Sequence, residues 1–161
     1  MGKTQQHWDN FFEKMALLVA SNSYDTRKVG CVIVRGEDIL AYSYNGTPRG
    51  WDNTMRDDEG GTPKHVIHAE AAAIAKCAKN GIALSGATLY CTYQPCIDCA
   101  KLIASVGIIR VVYRDSSGCD EGTDHLLKAG VTVRPSYLKY DLNKQHCTLA
   151  DPVWVTQHTG L

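Results

Sequence analysis

Residues 88–113 read TLYCTYQPCIDCAKLIASVGIIRVVY, and this stretch decides the fold. Thr88 to Thr92, with two threonines and a tyrosine, predicts a short strand. Pro95 suits the first position of a helix, where its missing N–H costs nothing, and the helix predicted to run from it to Val106 is closed by Gly107. Ile108 to Tyr113 is a near-continuous apolar run, which predicts a buried strand.

The flanking sequence repeats the theme. Upstream, His68 to Asn80 is helical by alanine content, with Gly81 placed as a left-handed cap. Val29 to Val34 and Ile39 to Tyr44 are apolar runs joined by Arg35-Gly36-Glu37-Asp38, which predicts a hairpin. Trp8, Phe11, Phe12, Met15, Leu18 and Val19 recur at intervals of three and four, the stripe of a first helix over roughly residues 5–20. Asn22, Ser23 and Asp25 supply the turn that ends it. Downstream, Asp124 to Lys128 predicts a short helix ending at Gly130, and Val131 to Arg134 a last strand. Strands alternating with helices at this spacing imply a partly parallel sheet covered on both faces. The fold class expected is α/β, a three-layer α/β/α arrangement around a mixed five-stranded sheet.

At 161 residues the chain is expected to form a single domain, with 136–161 as a C-terminal extension laid over the body or over a neighbouring subunit. Lys and Arg together number 17, as do Asp and Glu, and neither sign forms a long block. Such a surface gathers no polyanion, so nucleic acid is not an expected partner, whereas a single nucleotide held by local arginines is. Seven cysteines without a secretory leader argue against a disulfide scaffold and for a reducing cytoplasm. No apolar stretch approaches the length of a membrane span.

Two helices that each follow a strand present their N-terminal ends at one edge of such a sheet, where open α/β folds bind ligands. His68 opens one of these helices, and Cys96 and Cys99 lie in the first turn of the other. Three residues apart on a helix, both sulfurs face one ion, and the positive end of the helix dipole favours thiolate. One imidazole and two thiolates are the donors of a zinc site that keeps its fourth position open to water. Glu70, two residues beyond His68, falls near the rim of that site as a candidate general acid and base. Two other readings of Cys-x-x-Cys stand beside this one: a closed structural site with Cys91, Cys77 or His65 as fourth ligand, or a redox pair. Cys31, Cys77 and Cys91 are expected as small core residues.

His-Ala-Glu with Pro-Cys-x-x-Cys resembles the signature of the zinc-dependent cytidine and deoxycytidylate deaminase superfamily. The resemblance runs from about residue 5 to 135. Val29-Gly30-Cys31-Val32-Ile33-Val34, Tyr44-Asn45-Gly46-Thr47-Pro48-Arg49-Gly50 and a long insert before His68 make it most similar to the deoxycytidylate deaminases of eukaryotes, some bacteria and large DNA phages. The tail beyond 135 is longer than the family core.

The resemblance implies a cytidine deaminase-like fold with Zn2+ on His68, Cys96 and Cys99 and Glu70 as proton shuttle. It implies contacts to substrate from Asn45, Thr47, the amide of Ala69 and Tyr113. The reaction implied is hydrolysis of dCMP to dUMP and ammonia, in the cytoplasm of the cell or of a phage host. Such enzymes are commonly homohexamers, activated by dCTP and inhibited by dTTP with Mg2+. The 45–65 loop is similar to their regulatory region, which makes Arg49, Arg56, Asp57, Asp58 and Glu59 candidate effector residues. The alternatives are deamination of a base in nucleic acid and a zinc-stabilised nucleotide-sensing domain.

Overall fold

The computed structural model describes residues 2–136 and, as backbone, 138–141 and 146–149. Helix α1 (Gln5–Ala20) leads into the hairpin β1 (Gly30–Arg35) and β2 (Asp38–Tyr44). Then follow α2 (Ala69–Lys79), β3 (Thr88–Tyr93), α3 (Ile97–Ser105), β4 (Arg110–Asp115), α4 (Glu121–Lys128) and β5 (Thr132–Pro135). The five strands form one sheet in the order β2-β1-β3-β4-β5. β1 is antiparallel to both its neighbours, whereas β3, β4 and β5 run parallel. The sheet is mixed and covered on both faces, as the alternation of elements predicts.

Two-sided covering explains the unbroken apolar runs. Along β1, Cys31 and Ile33 enter the larger core with Leu89, Cys91 and Val111, under α2, α3 and α4. Val32 and Val34 point the other way, to Phe12, Ala16 and Val19 of α1 and to Tyr90 and Val112. Each aliphatic side chain fully buried in these layers contributes roughly 1.5–3 kcal/mol. Gly30 allows α1 its close approach, because a Cβ there would lie 2.1 Å from the carbonyl oxygen of Ala16.

Boundaries move by one to three residues from those the sequence predicts. β4 begins at Arg110 rather than Ile108, and β5 at Thr132 rather than Val131. α4 begins at Glu121, three residues before the predicted Asp124. Gly122 discourages a helix in isolation, but a Cβ at this position would stand 2.1 Å from the carbonyl oxygen of Pro95, so packing excludes a larger residue. Beyond residue 135, where no strand was expected, β6 (Leu138–Asp141) and β7 (His146–Leu149) pair as an antiparallel ribbon. Four residues are too few for alternation to stand out in sequence. The expectation that this tail covers the body or a neighbouring subunit concerns residues outside those described. No helix among the described residues is long and apolar enough to cross a membrane.

A polar knot fixes α1 to the sheet. Asp9 is 1% exposed. It accepts paired hydrogen bonds from Arg110 at 2.7 Å each, one from the Tyr90 hydroxyl at 2.6 Å and one from Gln5 at 3.0 Å, and meets Arg134 at 3.0 Å. Burial alone would raise its pKa, but the hydrogen bonds from Arg110, Tyr90 and Gln5 outweigh it and hold the carboxyl at about 2. Glu13, beside Arg134 and Ser136, is pushed up by burial instead. Asp9→Asn is expected to lower stability at pH 7 by about 3 kcal/mol, the usual cost of breaking a buried ion pair from one side. Because the folded-state pKa of Asp9 lies below the ordinary carboxylate value of 3.8, its stabilisation is complete at neutral pH and is lost as pH falls from about 4 toward 2. Urea unfolding of both proteins across that range should show the gap between them closing.

Candidate active site

His68 and Cys96 are the N-cap residues of α2 and α3, each in extended backbone just before the first helical residue. The helices therefore start one to two residues later than predicted, and Pro95 precedes the cap instead of occupying the first turn. Neither cap residue turns its side chain back onto the helix, so both are free to face each other across the gap between the helix ends. The chain reaching His68 is fixed by two backbone hydrogen bonds between Gly46 and Ile67, at 2.8 and 3.1 Å. The chain reaching Cys96 leaves β3 directly.

The imidazole Nδ1 of His68 lies 3.5 Å from Sγ of Cys96 and 3.5 Å from Sγ of Cys99. Zn–S near 2.3 Å and Zn–N near 2.0 Å at a tetrahedral angle require an N···S edge of about 3.5 Å. Atom type and spacing both fit zinc, and all three ligand atoms lie within 4.8 Å of one another. Among the described residues, Cys77, Cys91 and His65 are not part of this cluster. Cys31, Cys77 and Cys91 are core residues, at most 3% exposed. Hydrogen bonds from Cys99 and His68 hold the Cys96 thiol down at about 4. The same contact with Cys96 raises His68 and, together with burial, raises Cys99.

His68 and Cys96 line a cavity of about 380 Å³, within the range of small-molecule sites. Its base is His68, Ala69, Glu70, Cys96 and Ile97. Glu70 is only 4% exposed, and burial pushes its carboxyl up. Ala69 is the first residue of α2, so its N–H has no partner within the helix.

One wall carries Asp25, Arg27, Val29, Asn45, Arg56 and Thr62. Asn45 has its side chain engaged within the protein: Oδ1 accepts from the amide of Val29 at 2.8 Å, and Nδ2 donates to Asp25 at 2.9 Å and to the carbonyl of Arg27 at 3.0 Å. Arg56 pairs with Asp25 at 2.8 Å and donates to Thr62. The Arg27 guanidinium lies 5.1 Å over the Tyr93 ring and makes no ion pair with a carboxylate among the described residues. Val66, Tyr93, Gln94, Ser117, Cys119, Glu121 and Gly122 complete the lining.

Of the predicted site residues, His68, Cys96, Cys99, Glu70, Ala69, Asn45 and Arg56 are brought together. Thr47 and Tyr113 are half-buried and outside the cavity lining, Tyr113 within β4 opposite Cys91 and Pro135. Asp57 closes its own turn, accepting from the amides of Glu59 and Gly61. Arg49, Asp58 and Glu59 are exposed. Asp25, Arg27, Gln94 and the 117–122 segment were not singled out from sequence. The one local signal was a glutamine at the end of a buried strand, directly before Pro-Cys.

The family model for the cytidine and deoxycytidylate deaminase zinc-binding region matches residues 6–115. The chain belongs to this family. It is 40% identical over 141 residues to deoxycytidylate deaminase of Saccharomyces cerevisiae, an alignment covering 79% of this chain and 44% of that protein. It is 37% identical over 125 residues to the deoxycytidylate deaminase of mycobacterium phage D29, covering 68% and 96%. The chain thus spans under half the length of the yeast relative and nearly all of the phage one. Among solved structures, dCMP deaminase from cyanophage S-TIM5 in complex with dCMP and dUMP superimposes with a TM-score of 0.79 at 36% identity, covering 83% of this chain and 99% of that one. The fold is that of these deaminases.

Cys99→Ala is expected to drop zinc from about one ion per chain to well under a fifth after dialysis, because a site short of one ligand binds far more weakly. Atomic absorption reads the metal, and far-UV circular dichroism checks that the fold persists.

Proposed function

We propose that this chain hydrolyses deoxycytidine monophosphate to dUMP and ammonia. The observation that carries the reading is that two of the three clustered zinc ligands, His68 and Cys96, line one cavity with the buried carboxyl of Glu70 and two arginines. The likeness to the cyanophage enzyme solved with dCMP and dUMP supports it.

His68, Cys96 and Cys99 would hold the zinc, which when bound would supply Lewis-acid activation of water and lower its pKa to roughly 7. Glu70 takes a proton from the attacking water and delivers it to ring N3 of cytosine, which makes C4 more electrophilic, and the water oxygen bonds to C4. The same carboxyl then takes the remaining proton from the oxygen on C4 and passes it to the exocyclic amino nitrogen, so that the C4–N bond breaks, ammonia leaves and C4 becomes the carbonyl of uracil. A buried carboxyl with a raised pKa suits a group that must hold a proton as readily as release it. The amide of Ala69 meets the pyrimidine edge from the open end of α2. Asn45 fixes the 25–29 segment, and the sugar lies along that wall. Arg27, stacked on Tyr93, and Arg56 receive the 5′-phosphate, which distinguishes a nucleotide from a nucleoside.

The reading extends to a single 1–161 domain, a homohexamer in a reducing cytoplasm, and control by dCTP and by dTTP with Mg2+ through the 45–65 loop. What supports the last part is the resemblance of that loop to the regulatory region of the family and the exposure of Arg49, Asp58 and Glu59. Six described cysteines carry free thiols, as that compartment requires.

Glu70→Gln is expected to retain zinc and lose turnover by about 10²- to 10⁴-fold. Metal content and ammonia release are measured together, and wild-type turnover in the variant removes Glu70 from its role. A panel of dCMP, CMP, deoxycytidine, dCTP and a single-stranded oligonucleotide, with and without added triphosphates, tests the substrate. Activity confined to the oligonucleotide overturns the proposal.

A further inference from the structure

We propose that Gln94 is a positioning residue that fixes one wall of the nucleotide cavity by clamping the 116–120 segment to the metal-ligand turn, a role that rests on the dCMP reading above. Gln94 is 2% exposed and stands between the end of β3 and Pro95-Cys96. Its side chain uses its full hydrogen-bonding capacity. Oε1 accepts from Ser116 Oγ at 2.9 Å, from the amide of Ser117 at 2.8 Å and from Ser117 Oγ at 3.0 Å. Nε2 donates to Asp120 Oδ1 at 2.9 Å and to Thr123 Oγ1 at 3.3 Å.

The amide orientation is dictated by its neighbours, since the Ser117 N–H only donates and an ionised Asp120 only accepts. One side chain thereby binds both ends of the segment joining β4 to α4. Ser117 and Cys119 of that segment line the cavity. The second clamp is Gly122, whose missing Cβ lets α4 lie directly against the carbonyl of Pro95. With both in place, the wall cannot drift from the turn that carries Cys96.

No other residue meets these demands. Glutamate has the same shape and satisfies Ser116 and Ser117, but it sets a carboxylate against Asp120 where a donor is required. Exchanging the two chemistries, in Q94E with D120N, restores a donor facing an acceptor at unchanged net charge. Ser117 and Cys119 line the cavity but supply neither a zinc ligand nor the proton-carrying carboxyl, so the loss appears in binding more than in the chemical step.

The experiment compares wild type, Q94E, D120N and Q94E/D120N, all loaded with zinc. It reads kcat and KM for dCMP by ammonia release, zinc content, and amide hydrogen exchange over residues 116–122. Q94E is expected to raise KM by about tenfold or more, since an unsatisfied buried contact costs at least that factor. Its kcat should stay within about threefold with zinc unchanged, and its 116–122 amides should exchange faster. D120N, which keeps an acceptor for Gln94, and the double variant should fall within about threefold of wild type on every reading. Unchanged KM and exchange in Q94E, zinc lost in step with activity, or a double variant no better than Q94E overturns the role. If Q94E fails to fold, the double variant decides alone: near wild-type KM and exchange support the clamp, and raised KM or failure to fold overturns it. If wild type itself does not turn over dCMP, the substrate reading falls, while the exchange data, which need no substrate, still decide whether Gln94 holds the wall.

Discussion

Two helix ends meeting at one sheet edge is the constraint from which the rest of this structure follows. α2 and α3 start beside each other because the strands that precede them, β2 and β3, run in the same direction with only β1 between them in the sheet. His68 and Cys96 occupy the caps, with unpaired helical N–H groups behind them. Nearby thiolate charge is favoured there. A nitrogen placed 3.5 Å from each of two sulfurs is a statement about backbone as much as side chains, since a cap residue has little freedom once the helix behind it is packed.

Burial divides the remaining labour. Glu70 lies one residue inside α2, at the base of the cavity, where water is scarce and the neutral carboxyl is favoured. The arginines sit further out, one engaged by Asp25 and one resting on an aromatic face. A ligand that is apolar and flat at one end and anionic at the other matches this gradient.

What could be read from sequence was whatever depends on local pattern. The alternation of apolar runs with alanine-rich helices marked the layers, and the His and Cys spacing marked the metal cluster. Boundaries were missed where packing overrode propensity: Gly122 disfavours a helix that α4 nevertheless forms, because that glycine is needed against Pro95. His68 and Cys96 proved to be caps instead of helical residues, a difference of one to two residues in where each helix starts that changes where their side chains point. Gln94 and Arg27 were invisible as site residues because their partners, Ser116 to Thr123 and Tyr93, are defined only after strands and loops are assembled. Tyr113 and Thr47 illustrate the converse: proximity along the chain to an active segment does not place a residue at the cavity surface.

The paired amides of Gly46 and Ile67 close the excursion between them at its neck. Residues inside such a closed loop can be added or removed without shifting its two ends, and the entropic cost of lengthening grows only slowly, by about 0.6 kcal/mol for each doubling. The stem that aims His68 is therefore insulated from change in the loop above it. Descendants of this chain have room to vary the outer arch while the metal ligands stay in register.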